Sequence, residues 1–146
     1  MVYETEPENF KKDFEVAVCI CEHNDEILLL LRQDWETAPN KWCAPGGRVE
    51  KNEKPSQAVI RETKEETSVE FLPDDVRFLK SVYVVLSESH FISHVFYANL
   101  KEKPKVIVNK SEHKDYKWVT LREALKMDLV NDAAEGTLKI YQQAKK

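Results

Sequence analysis

Between Pro45 and Val69 the chain reads "PGGRVEKNEKPSQAVIRETKEETSV", and the residues in it best suited to chemistry are Glu62, Glu65 and Glu66. Pro55 fits the first turn of a helix, and residues 55–67 are expected to form one. Successive helical residues turn by about 100°, so the three carboxylates fall within an arc of roughly 100°. Most charged helix faces are simply solvated. This one carries two penalties. Glu62 and Glu66 form a like-charged i,i+4 pair, which costs about 0.2–0.5 kcal/mol. Glu65 and Glu66 lie in the last turn, where the helix dipole disfavours anions by about 0.3–1 kcal/mol. Arg61, four residues before Glu65, is the obvious local offset. A hard divalent cation would remove the conflict, because Mg²⁺ takes oxygen ligands from a few carboxylates, water and substrate phosphates. On residue types alone, a solvated face and a metal-binding face both stay open.

These side chains need a scaffold. "FEVAVCIC" (14–21) and "EILLLLR" (26–32) are strand-like and joined by the turn-rich "EHND". The first strand is apolar on both faces, with Val16, Val18 and Ile20 on one and Ala17, Cys19 and Cys21 on the other. That pattern suits a central strand in a covered sheet. A loop punctuated by Pro39, Asn40, Pro45, Gly46 and Gly47 leads to the acidic helix. Residues 77–87 and 90–100 read as a second hairpin, 116–121 as a short strand, "LREAL" as the start of a short helix, and 132–145 as a C-terminal helix. Strands and helices mix without regular βαβ alternation, which points to an α+β sandwich with helices on a mixed sheet. At 146 residues, a single domain over 1–146 is expected. A chain of this size can bury a core without disulfides or a structural metal.

Charged residues make up 33% of the chain and the net charge is −4, which argues against a dedicated polynucleotide partner. A small phosphorylated ligand needs only local basic residues. The three cysteines, Cys19, Cys21 and Cys43, form no regular disulfide framework, and Cys19 and Cys21, on one face of a strand, read as small core residues. The N-terminus shows no apolar targeting segment, and no apolar run approaches the roughly 20 residues of a membrane span. A cytoplasmic protein with no membrane contact is the simplest expectation. His90 and His94 on one strand lie about 13 Å apart, too far for one ion.

The acidic segment resembles the Nudix box, G-x5-E-x7-R-E-U-x-E-E-x-G-U, where U is aliphatic. Gly47 is followed after five residues by Glu53, then after seven by Arg61-Glu62, then by Glu65-Glu66, with Val69 closing the motif. The box covers residues 47–69. "WCAPGG" (42–47) and the tryptophan strand "KWVTL" also resemble the family. Thr63 replaces an aliphatic residue, which is expected to loosen helix packing. Ser68 replaces the glycine that normally ends the helix, and a positive φ there would cost about 1 kcal/mol.

The resemblance implies an α/β/α sandwich of the MutT-like Nudix type. It also implies Mg²⁺-dependent hydrolysis of a pyrophosphate bond in a nucleoside diphosphate linked to a group X, with Mn²⁺ as a substitute metal. Glu62, Glu65, Glu66 and the Gly46 carbonyl are the implied ligands. Arg61 is expected to pair with Glu53 and brace the loop against the helix. Glu62 is the first candidate for the base that activates water. Glu112, six residues before Trp118, is the second candidate, as base or further ligand. Arg48 is a candidate phosphate contact, with Arg32 and Lys41 weaker ones.

The box does not specify X. Trp35 could stack on a base or cover the core. Asn131 resembles a base-reading asparagine of MutT-like enzymes, and a helix N-cap is its competing role. A small-molecule nucleotide is the expected partner, with a nucleoside triphosphate such as 8-oxo-dGTP the leading substrate. Dinucleoside polyphosphates and nucleotide sugars are the alternatives, Tyr83 weakly favouring the former. The lack of proline between Asp74 and Lys103 lowers ADP-ribose. A non-catalytic nucleotide sensor is the reading from a different class, opposed by retention of every box glutamate. Dimers are common in the family, so a homodimer is carried as an option.

Overall fold

The structure, a computed structural model, describes Met1–Lys145. Its strands are β1 (Val2–Tyr3), β2 (Phe14–His23), β3 (Glu26–Arg32), β4 (Trp42–Cys43), β5 (Gly46–Arg48), β6 (Arg77–Val85), β7 (His90–Asn99) and β8 (His113–Thr120). Helix α1 spans Pro55–Thr67 and α2 spans Leu121–Ala124. The C-terminal helix begins as a wide π-type segment over Ala133–Leu138 and continues as α3, Lys139–Ala144.

β2 is the central strand. It runs parallel to β7 over its length, from Phe14 beside Phe91 to Glu22 beside Asn99. Its other edge pairs with β3 only where the hairpin turns, at Glu22–Ile27 and His23–Glu26. The turn is shorter than the "EHND" expectation. Glu22 and His23 stay in the strand, while Asn24 and Asp25 take φ of 48° and 65°, the two positive angles of a tight hairpin turn. β3 then diverges to pair with β8 and β4, and β5 fills the edge it leaves beside Val16–Val18. The sheet is mixed and carries helices on both faces, an α+β sandwich. On one face α1 buries Ala58 and Val59 against Ala17, Cys19, Cys21, Leu28 and Leu30. On the other, Leu138, Ile140 and Tyr141 cover Ile20, Ile27, Val82 and Val95. Among the described residues no helix is long and apolar enough to cross a membrane.

Helix α1 starts with Pro55 in its first turn, and the Gln57 side chain accepts the Lys54 backbone N–H at 2.8 Å, which satisfies one of the orphan donors of a helix start. It ends at Ser68, whose N–H donates to the Lys64 carbonyl at 2.9 Å with φ 66° and ψ 11°. The left-handed residue expected from the missing glycine is therefore present. The Thr63 departure also has a visible consequence. Thr63 is fully buried and its hydroxyl has no hydrogen-bond partner among the described residues. An orphaned buried hydroxyl costs about 1–3 kcal/mol.

Two substitutions follow from these strains. Ser68→Gly relieves the Cβ clash and is expected to stabilise by about 1 kcal/mol, a Tm rise of about 2–4 °C for a domain of this size. Thr63→Val removes the orphan hydroxyl at nearly constant volume and is expected to raise Tm by a similar amount or more. Thermal denaturation checks both, and an unchanged or lower Tm contradicts the respective strain.

Candidate metal and phosphate site

The buried stripe of α1 runs Val59, Thr63, Glu66, at the i, i+4, i+7 spacing of an amphipathic helix. The three box glutamates therefore meet three environments. Glu66 lies inside the stripe and is buried, Glu62 is half-buried beside it, and Glu65 on the outer edge has a side chain 50% exposed. Glu66 is held by the Gly46 backbone N–H, which donates to Oε1 at 2.7 Å.

The two glycines of the turn serve different ends. A Cβ on Gly46 would sit 2.3 Å from the Ala17 carbonyl oxygen, so the β5–β2 pairing needs the bare backbone. A Cβ on Gly47 would sit 2.4–2.7 Å from the Glu62 carboxylate. Gly47 thus makes room for an acid against the chain, and neither glycine has a positive φ.

Arg61 ties the loop to the helix. Its Nε and Nη2 donate to the two Glu53 oxygens at 2.8 and 3.0 Å, a bidentate pair. Nη1 donates to Glu62 at 2.9 Å and to Glu65 at 3.3 Å, and Nη2 also donates to the Arg48 carbonyl at 3.0 Å. The guanidinium holds the Glu53 carboxyl below the usual range. It offsets much of the repulsion along the helix, although not for Glu66, which it does not touch.

β5 and α1 open onto a cleft of about 720 Å³. Glu62, Glu66 and Glu112 line it. Burial raises the carboxyl of each above its ordinary range. Neighbouring carboxylates raise them further: Glu65 and Glu112 act on Glu62, Glu112 and Glu62 act on Glu66, and Glu36 and Glu65 act on Glu112. No group of three or more His, Cys, Asp or Glu side chains among the described residues converges closely enough to hold an ion by itself. The donor set nevertheless fits a hard cation that keeps water and phosphate in its shell and asks few oxygens of the protein. Mutually repelling, half-dry carboxylates are also the arrangement that a divalent charge stabilises most.

The far wall is apolar, from Phe14, Val16, Val18 and Phe91. β7 and β5 flank β2 on opposite sides. Phe14 accordingly stacks on Phe91, centroids 5.1 Å apart, and receives the Arg48 guanidinium at 3.9 Å from its centroid. Among the described residues no carboxylate pairs with this guanidinium, and Arg48 is exposed where it lines the cleft.

The other expected contacts scatter. Arg32 lines the cleft but donates to the Thr37 carbonyl at 2.6 Å and pairs with Glu36. Asn131 lines the cleft and is exposed. Trp35 is outside the lining, 68% exposed, with its indole N–H donating to the Ser111 carbonyl at 2.9 Å. Lys41 pairs with Asp128 at 3.0 Å, also outside the lining. Tyr83 packs edge-on against Phe10. His90 stacks on Phe10, and His94 bonds to Ser81 and Glu15.

Sequence reasoning missed Phe14, His113 and Asp132. Asp132 lines the cleft, and burial pushes its carboxyl up. Burial also pushes the His113 imidazole down to about 4 and the Cys43 thiol beside it up to about 12. Phe14 carried a signal as an aromatic at the start of the central strand. Asp132 and His113 had only their nearness in sequence to Asn131 and Glu112.

The chain is similar to several characterised proteins. It is 29% identical over 137 residues to Nudix hydrolase 26, chloroplastic, of Arabidopsis thaliana, covering 93% of this chain and 56% of that protein. It is 40% identical over 67 residues to human diphosphoinositol polyphosphate phosphohydrolase 3-alpha, covering 44% of this chain and 37% of the relative. It thus spans a little over half of the first and well under half of the second. Its fold matches the crystal structure of the MutT protein from Methanosarcina mazei Go1 with a TM-score of 0.79 and 26% identity, over 94% of this chain and 100% of that one. The family model of the NUDIX domain matches residues 11–142. That match takes in the acidic helix, its glycine loop and the sheet beneath, and the chain belongs to the NUDIX domain family.

Proposed function

We propose that the chain hydrolyses a pyrophosphate bond in a nucleoside diphosphate linked to another group, with Mg²⁺ or Mn²⁺ as cofactor. The observation that carries this reading is one cleft with Glu62, Glu66 and Glu112 on one side and an unpaired Arg48 over an aromatic wall on the other. A bound divalent ion would neutralise charge on the phosphate oxygens. The chain supplies the rest. Arg48 binds a phosphate oxygen. Phe14 and the valines accept an apolar or aromatic moiety and exclude water. A carboxylate oxygen of Glu62 or Glu112 accepts a proton from the attacking water. Arg61 and Glu53 keep Glu62 and the loop in place.

A nucleoside triphosphate such as 8-oxo-dGTP is the substrate we favour, because the apolar wall suits a base, with Asn131 and Asp132 at hand to read its edge. Dinucleoside polyphosphates and nucleotide sugars fit the same chemistry. A densely phosphorylated inositol suits the cleft poorly, since among the described residues Arg32 and Arg48 are its only cationic lining residues and Arg32 is already engaged.

A panel of these compounds with Mg²⁺ separates enzyme from sensor. Turnover of a nucleoside triphosphate is expected, with Glu62→Gln and Glu66→Gln slower by on the order of 100-fold or more. Tight binding without turnover of any panel member would favour a nucleotide sensor instead.

The carboxyl shifts predict a linked pH effect. Glu62, Glu66 and Glu112 are raised in the fold, so their neutral forms stabilise the metal-free protein at low pH, and this contribution is lost as pH rises through the raised values. Metal needs the ionised forms. Mg²⁺ should therefore raise Tm more at about pH 8 than at about pH 5. Equal shifts at both would show that these carboxyls are not the ligands.

A further inference from the structure

We infer that His113 is a positioning residue for Glu66, donating from Nδ1 to the carboxylate oxygen that Gly46 does not hold. The inference rests on the metal reading above and deepens it.

The placement of His113 is built by a bulge. β3 pairs Leu31 with Asp115 and then Arg32 with His113, so Lys114 is an extra residue on β8. Regular alternation would put His113 on the same side as Asp115 and Lys117, both exposed. The extra residue turns it inward, and bulges beside functional sites commonly re-aim a side chain in this way. His113 ends 2% exposed, lining the cleft.

Its two nitrogens face different partners. Nε2 lies 3.7 Å from the Cys43 sulfur. Nδ1 has no hydrogen-bond partner among the described residues, and it lies 3.9 Å from Glu66 Oε2. An orphaned buried nitrogen calls for an explanation. The carboxylate opposite it supplies one. Oε1 is taken by the Gly46 N–H at 2.7 Å. Among the described residues no hydrogen bond reaches Oε2, and His113 Nδ1 lies 3.9 Å from it, so a proton on Nδ1 gives this carboxylate oxygen its donor. Nε2 is then the acceptor, and Cys43 can offer its S–H. The gap of 3.9 Å is beyond a hydrogen bond, and a small rotation of the Glu66 carboxylate about its last torsion closes it. Held by Gly46 on one oxygen and His113 on the other, Glu66 turns its remaining lone pairs to the cleft. Groups that orient a ligand in this way are typically worth about 10- to 100-fold in metal affinity.

The test is Mn²⁺ affinity, measured by calorimetry on the full chain for wild type, His113→Gln, His113→Asn, Glu66→Gln and the Glu66→Gln/His113→Gln pair. The glutamine amide overlays Nε2 and the asparagine amide overlays Nδ1. His113→Gln is expected to bind about 10- to 100-fold more weakly, and His113→Asn should recover most of that loss. Adding His113→Gln to Glu66→Gln should cost nothing further. Wild-type affinity in His113→Gln, no recovery in His113→Asn, or an additive loss in the pair would overturn the inference alone. Wild type that binds no Mn²⁺ would overturn the metal reading and this inference with it. ¹⁵N NMR of the wild-type imidazole needs no folded variant. The Nδ1–H tautomer with a Nδ1 resonance that moves on adding Mg²⁺ is expected, and an Nε2–H tautomer would be decisive against it.

Discussion

Glu66 occupies a position that an apolar residue would fill in an ordinary amphipathic helix, one turn beyond Thr63 on the stripe that α1 lays against the sheet. Desolvating a carboxylate there is costly unless it is hydrogen-bonded or paired. The Gly46 N–H supplies one bond, and a glycine is needed at that point because β5 runs too close to β2 for a side chain. The twin-glycine turn, the short β5 strand and the incomplete β2–β3 pairing that makes space for it are thus parts of one arrangement around a buried acid.

Arg61 handles the remaining charge. With bonds to Glu53, Glu62 and Glu65 and to the Arg48 carbonyl, it fixes the loop to the helix and quenches repulsion at the helix surface. It does not reach Glu66 or Glu112 on the cleft side, where Arg32 partly offsets their charge. Charge is therefore well paired on the outer surface of the helix and only partly offset on the cleft side. Preorganised charge of this kind acts most strongly in a site with little water.

Much of the fold was legible. The boundaries of α1 and β3 follow from proline placement and an unbroken aliphatic run, and the double-sided apolar pattern marked β2 as central. The left-handed Ser68 followed from a missing glycine. Other features were hidden because they depend on partners distant in sequence. The bulge at Lys114 depends on register with β3. The wide turn at the start of the C-terminal helix holds Gly136, which lies near Val2 and Val82, Val2 being over a hundred residues earlier. Trp35 and Lys41 looked like ligand contacts by type, yet Ser111 and Asp128 engage them outside the cleft.

The sequence by itself determined the family and the acid–glycine loop, since these lie within one contiguous motif, and the family resemblance implied the pairing of Arg61 with Glu53. Only the tertiary structure decided how the three glutamates differ. All sit on one helical arc, and it is the sheet that buries Glu66, half-covers Glu62 and leaves Glu65 in water. It also decided that Glu112, His113 and Phe14 share their cleft. The physical reason is that desolvation depends on what packs against a side chain. For these residues that is set by strand pairing between segments tens of residues apart.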